Sequence, residues 1–254
     1  MGVFMNDKGL FYWVWFIFKN YWSYFLKGTV LTLEIAIIGT ILGYILGFAI
    51  GLVQATPVSK GDNVAHKISF SVLKPVCSVF VAIFRGTPMM VQAMVFYYGL
   101  KNAGVDVSPF LASLIVLMMN TGAYMAETVR GGIISIDKGQ LEGGFALGMS
   151  HTKTMFAVIL PQAFRNIVPE MVNQFLTNLK MTSVLNVIGV YELYFATKSA
   201  AGIYYRYFES YIICAIFYFV ICTIFTKILK VVEKKAFQQK DYELAVEYMS
   251  GTAE

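Results

Sequence analysis

Charge is what this chain has least of. Asp, Glu, Lys and Arg make up 14% of its 254 residues, against 57% hydrophobic, whereas a soluble globular domain carries about a quarter charged. With a mean hydropathy of +0.64, one soluble core cannot hide the surplus. The apolar residues are also clustered in long runs, which points to membrane-spanning segments. Cysteine and histidine are scarce too. Cys77, Cys214 and Cys222 sit in or beside apolar runs at no metal-ligand or redox spacing, so they read as small buried hydrophobes. His66 and His151 are isolated and fall in polar loops. The chain lacks G-x-x-x-x-G-K-[ST], G-x-S-x-G and H-E-x-x-H, which excludes phosphate cradling, a nucleophile elbow and a zinc-protease site of those kinds. The net charge of +5 is spread between apolar runs and not gathered on one face, which excludes nucleic acid as a partner. The start of the chain, with Asp7 beside Lys8 and no small-residue cleavage site after the aromatic run at 11–18, does not read as a secretory signal.

What is present is a series of five long apolar runs, at residues 25–53, 72–98, 109–126, about 167–190 and 207–229. The expected fold class is an all-α membrane protein of about five transmembrane helices. Residues 1–24 form an N-terminal segment whose Trp and Tyr favour the lipid–water boundary; its aromatic run is too short to span, so an interfacial helix is expected there. Residues 25–230 form the membrane domain, and residues 231–254 a charged tail. In the first run Gly39, Gly43, Gly47 and Gly51 recur every four residues. They share one helix face and allow close helix approach. Five spans place the ends on opposite sides. If the C-terminus is cytosolic, twelve Lys and Arg fall inside and six outside, with Arg85 and Lys180 within spans. That bias favours N-terminus outside and C-terminus cytosolic.

The longest hydrophilic stretch, about 130–165, is then cytosolic. Gly148 separates two short helical segments in it, because glycine readily supplies the left-handed residue that ends a helix, and Pro161 marks a later break. The stretch contains Glu142-Gly143-Gly144, then Gly148, then Val158-Ile159-Leu160-Pro161. This spacing resembles the EAA loop of binding-protein-dependent importer permeases. The likeness extends to their polar amino-acid (His/Gln/Arg) branch through Phe84–Pro88, Glu127–Gly131, Ala146–Ser150, Ile159–Ala163, Asn173–Phe175, Leu179–Ser183 and Val187–Leu193. The resemblance covers about residues 25–230, with the EAA-type loop near 127–165. Gly143 and Gly144 depart from it, standing where the family has two alanines. Each glycine costs a helix about 1 kcal/mol relative to Ala, so alanine at both positions is expected to be tolerated.

The resemblance implies a type I ABC-importer permease fold in a bacterial inner membrane. It implies that the chain forms the translocation pathway for an amino acid. It also implies two ABC ATPase subunits carrying ATP and Mg, a second permease chain, identical or paralogous, and an extracellular solute-binding protein. The chain itself is expected to bind no cofactor. Glu142, Gly143, Gly144, Ala146, Gly148, Leu160 and Pro161 would form the ATPase-coupling elbow.

Intramembrane polar groups are costly and mark function by default. Asn120, Glu127 and Arg130 are spaced by seven and three residues and so share a helix face. Glu127 offers an acceptor for a substrate ammonium and Arg130 a fork for its carboxylate. Alternatively the two charges pair with each other and snorkel. Arg85, beside Gly86 and Pro88, suggests a broken helix, with its charge facing the pathway or satisfying freed carbonyls. Lys180, Thr182 and Ser183 lie in the polar fourth run and are further pathway candidates. Two other readings remain open here. One is a secondary transporter or channel for a small polar solute, although no internal repeat is seen. The other is an ABC permease for another solute such as an opine or cystine.

Overall fold

The computed structural model describes residues 9–56 and 63–236, with the backbone alone for His66 and residues 232–236. These residues form α1 (Leu10–Ala55), α2 (Val64–Gly86), α3 (Met89–Asn102), α4 (Pro109–Ile134), α5 (Lys138–Ala146) and α6 (His151–Thr154). A π-helical turn (Met155–Ile159) leads into α7 (Leu160–Met181) and a 3₁₀ segment (Thr182–Ile188), then α8 (Leu193–Tyr204) and α9 (Tyr207–Ala236). The described residues hold no strand. The fold is all-α, as expected.

Four helices are long and apolar enough to cross a bilayer: α1, residues Lys67–Gly86 of α2, α4, and residues Tyr207–Val231 of α9. The apolar run at 72–98 is divided between α2 and α3 at Gly86–Thr87–Pro88. The polar run at 167–190 is shared by α7 and the 3₁₀ segment. Its amides and hydroxyls keep it below the hydropathy of a lipid-exposed span.

Two expected boundaries move. The aromatic segment is not a separate interfacial helix: α1 runs unbroken from Leu10 through 46 residues, more than twice the roughly 20 that a bilayer core needs. No proline interrupts α1, and its aromatic residues have apolar partners. Phe16 packs on Tyr204 and Phe25 on Phe217, with ring centroids 5.8 and 5.6 Å apart. The tail boundary at 231 also falls inside α9; residues 237–254 lie outside the described residues.

The four glycines of α1 face a matching ladder on α4. A Cβ on Gly39, Gly43, Gly47 or Gly51 would meet Leu117, Thr121, Met125 or Val129 at 2.4–2.7 Å. Both ladders step by four residues, so ridge fits groove along several turns. Inside this seam Asn178 of α7 is buried and donates to Thr40 of α1 and Thr121 of α4, at 2.8 and 2.9 Å, and accepts from Gln174 at 2.8 Å. A satisfied amide in an apolar interior fixes register between helices.

Candidate functional site

The site is organised by the helix break. Pro88 cannot continue the hydrogen-bond ladder of α2, so carbonyls at the end of α2 need other donors. Thr87 Oγ1 donates to the Ile83 carbonyl at 2.8 Å. Gln92 Nε2 donates to the carbonyls of Phe84 and Thr87, both at 2.9 Å. Asn120 of α4 donates to the Phe84 carbonyl at 3.3 Å and to Gln92 Oε1 at 3.1 Å. The break is therefore closed by Gln92 and Asn120, and Arg85 is left to point elsewhere.

Arg85 reaches across to α4. Its guanidinium lies 3.8 Å from Glu127 Oε2 and 5.5 Å above the Tyr124 ring. Glu127 also forms a two-pronged pair with Arg130, including Arg130 Nε to Oε2 at 3.3 Å. On α2, Lys74, Ser78, Ala82 and Arg85 recur at helical spacing and present one face to the same space. Together with Gln54 at the end of α1 and Arg130, they surround a cavity of about 460 Å³. Lys74 Nζ donates to the Thr56 carbonyl at 2.5 Å. Gln54 Oε1 is buried and has no hydrogen-bond partner among the described residues. Three cations thus converge with one carboxylate and one unsatisfied acceptor on one open cavity.

Of the expected site residues, the structure brings the substrate candidates Glu127 and Arg130 together with the pathway candidate Arg85 and sets Asn120, the third substrate candidate, apart. Asn120 does share their helix, but both its amide bonds go to the helix break and it does not line the cavity. Its role here is to position the turn that carries Arg85. Sequence reasoning missed Gln54, Lys74 and Gln92. Gln92 carried a signal, as a lone amide four residues beyond Pro88 in an apolar run. Lys180 and Ser183 line a different cavity, while Thr182 is fully buried and donates to the Leu179 carbonyl at 2.9 Å.

The elbow between α4 and α7 is built from caps. Asp137 Oδ1 accepts from the Gly139 amide at 2.6 Å to open α5, and Ser150 accepts from the Lys153 amide at 3.3 Å to open α6. Between them Gly148 adopts φ +72°. Its N–H donates to the Phe145 carbonyl, and that of Met149 to the Gly144 carbonyl, at 2.9 and 3.0 Å. This is a Schellman closure. It leaves Leu147, Phe145 and Phe156 exposed, Leu147 to 82%, on an apolar knob. Glu142, Gly143, Ala146 and Gly148 are exposed on it, and Pro161 stands in the first turn of α7.

One expectation is corrected at this elbow. Gly143 has open space around it, but a Cβ on Gly144 would lie 2.4 Å from Thr154 Cγ2 and 3.1 Å from Thr154 Cβ. Thr154 is fully buried and its hydroxyl donates to the Ser150 carbonyl, so it cannot turn aside. Gly144→Ala should therefore lower the elbow's stability by about 1–3 kcal/mol, with Thr154→Ala restoring much of the loss. Gly143→Ala should be neutral or stabilising. Thermal unfolding of the purified chain measures all three; an unchanged melting temperature for Gly144→Ala alone would show that Thr154 yields.

Comparison with known proteins agrees with this architecture. The family described as binding-protein-dependent transport system inner membrane component matches residues 64–238. An arginine transport system permease protein of Bacillus subtilis (strain 168) is 35% identical over 213 residues, covering 84% of this chain and 92% of the relative. A glutamine transport system permease protein of Escherichia coli (strain K12) is 35% identical over 212 residues, covering 83% and 91%. An L-cystine transport system permease protein of Bacillus subtilis (strain 168) is 34% identical over 221 residues, covering 85% and 88%. Among solved structures, an amino acid ABC transporter with histidines superposes with a TM-score of 0.75 at 34% identity, covering 85% of this chain and 95% of that one. The MetNI methionine ABC transporter, at 18% identity and a TM-score of 0.62, shares the fold.

Proposed function

The chain belongs to the family of binding-protein-dependent transport system inner membrane components and is the transmembrane permease subunit of an amino-acid importer, and from that premise we propose that the cavity at Arg85, Glu127 and Arg130 binds the backbone of the amino acid in transit. The convergence of three cations and one carboxylate on one cavity carries this reading. An α-amino acid brings one carboxylate and one ammonium. Its carboxylate takes the fork of Arg130 or Arg85, and its ammonium takes Glu127 and the unsatisfied Gln54 Oε1. On this reading partners are exchanged between groups that are only partly buried, which keeps the desolvation cost low. These contacts read the shared backbone and leave the side chain unread.

The chain works with ATPase subunits. On this reading two of them supply the energy, each pressing on an α5–α6 elbow, and a second permease chain completes the pathway. An extracellular solute-binding protein delivers the ligand. The membrane is a bacterial inner membrane, with the elbow and C-terminus in the cytosol and the N-terminus outside.

Glu127→Gln keeps the shape and removes the charge. A hydrogen bond to a charged group is worth about 1.5–3 kcal/mol, or roughly ten- to a hundredfold in affinity. The concentration for half-maximal uptake in proteoliposomes should rise by that factor, while complex assembly and ligand binding to the extracellular receptor stay unchanged. If Glu127 and Arg130 only pair and snorkel, a Glu127→Gln, Arg130→Gln double variant will transport normally.

A further inference from the structure

An unfilled space between helices is costly, because the atoms of its walls forfeit their dispersion contacts. One groove in this chain is left open. It is enclosed by α1, α7 and α9, which pack pairwise. Its volume is about 400 Å³, and its walls include Ile41, Val168, Val172, Phe175 and Ile228. Of its lining side chains only Thr40 and Tyr44 carry a hydroxyl, and both are engaged inside the protein. Thr40 accepts from Asn178, and Tyr44 donates to the Met171 carbonyl. Water in the groove would find no polar partner, and apolar cavities of this kind stay dry. Ile41 and Ile228 are half-exposed and stand on helices apolar enough to cross a bilayer. The groove therefore opens onto hydrocarbon.

A cation stands at one end of it. Phe48 and Phe164, one turn beyond Tyr44 and Val168 on the elbow side, pack with ring centroids 5.8 Å apart and mark that end. Arg165 follows Phe164, and its spacing of three and seven residues from Val168 and Val172 puts it on the groove's face of α7. It is exposed and forms no ion pair among the described residues. A basic group between membrane helices on the cytoplasmic side suits an acidic lipid headgroup. Lys227 and Lys230 of α9 are exposed as well but do not line the groove.

We propose that this groove holds one acyl chain of a phospholipid with an acidic headgroup, drawn from the leaflet on the elbow side, with its phosphate on Arg165. The inference makes no use of the roles given to Glu127 and Arg130. With the elbow in the cytosol, the leaflet is the inner one. The bound chain fills the space between α7 and its two neighbours and steadies the helix that leads from the elbow into the membrane.

The test is lipid capture by the full-length chain in phosphatidylcholine nanodiscs. The probe is a trace of phosphatidylglycerol carrying a photoreactive diazirine on its acyl chain. Labelling should map to residues 168–175 and 225–229, and unlabelled phosphatidylglycerol should compete about fivefold better than phosphatidylcholine. Arg165→Gln should abolish that preference, while Lys230→Gln should keep it. Val172→Trp, which fills the groove, should cut the labelling about tenfold, a loss of the kind a filled pocket gives. Should Val172→Trp fail to fold, the wild-type map and Arg165→Gln decide the matter. Labelling of Ile45 or Phe219, which lie outside the groove, as strong as that of the groove would mean ordinary contact with surrounding lipid and overturn the proposal. Equal competition by the two lipids in the wild type would overturn it too. So would a disulfide between two copies at Ile228→Cys, with Cys77, Cys214 and Cys222 replaced by serine, since a second chain would then sit where the lipid belongs.

Discussion

Gly47→Leu is expected to remove the folded permease from the membrane. Even the β-carbon cannot be placed: it would lie 2.4 Å from Met125 Cβ, 3.0 Å from the Gly122 carbonyl oxygen and 3.1 Å from the Ala126 amide nitrogen. These are backbone atoms and a β-carbon, not the ends of flexible side chains, so only separation of α1 from α4 relieves the contact. Overpacking a well-filled interior costs about 1–3 kcal/mol and occasionally more. Here the separation also loosens the flanking pairs at Gly43 and Gly51 and the Asn178 bonds to Thr40 and Thr121. That puts leucine beyond the usual range, with Gly47→Ala as the milder case inside it. Gly99→Ala and Gly131→Ala are the controls, since nothing lies within 4 Å of a Cβ at either. The amount of monodisperse chain recovered in detergent, with its unfolding temperature, reads the effect. Wild-type recovery of Gly47→Leu would mean that the α1–α4 seam is not closed in the membrane.

The seam was legible because its signal is local. Four glycines at a fixed step on one helix announce a close approach whatever the partner, and the elbow's order of Gly148 and Pro161 is likewise written in consecutive residues. What was not legible depends on which helices meet. Glu127 and Arg130 could be paired from their spacing, but the third member, Arg85, comes from another helix 42 positions away. Gln54, at the end of α1, and Lys74, midway along α2, enter the cavity only because both helices pack beside α4. Asn120 shares the helix face of Glu127 and Arg130, but its amide bonds the Phe84 carbonyl, which Pro88 leaves without its helical donor, and Gln92, partners that appear only once α2 and α4 are packed. Gly144 misled for the same reason. Helix propensity favours alanine there, but Thr154 already fills the space where the methyl would go. The aromatic start of α1 was read from its length alone, and continuity with the following span changes what that length means.

Gly148→Val should leave the permease inserted and folded yet deprive it of its ATPase. Space is not the obstacle, because a Cβ at Gly148 meets nothing within 4 Å. The backbone is. At φ +72° an L-residue is penalised by about 1–2 kcal/mol, and a β-branched one more, since that region is a genuine outlier for it. Valine therefore shifts the elbow away from the turn that holds Leu147 and Phe145 outward. With 1.4 kcal/mol per tenfold, the docking-competent fraction should fall by about tenfold or more. The two closing hydrogen bonds, from Gly148 to Phe145 and from Met149 to Gly144, should go with it. Asparagine is the discriminating control, because it tolerates the left-handed region while adding more bulk than alanine. Under the elbow reading, ATPase co-purification and ATP-dependent uptake fall in the order glycine, asparagine, alanine, valine. If recovery instead follows side-chain size, with asparagine worse than alanine, the surface of the knob and not its turn governs docking. If valine retains full ATPase binding and uptake, this elbow does not couple the two subunits.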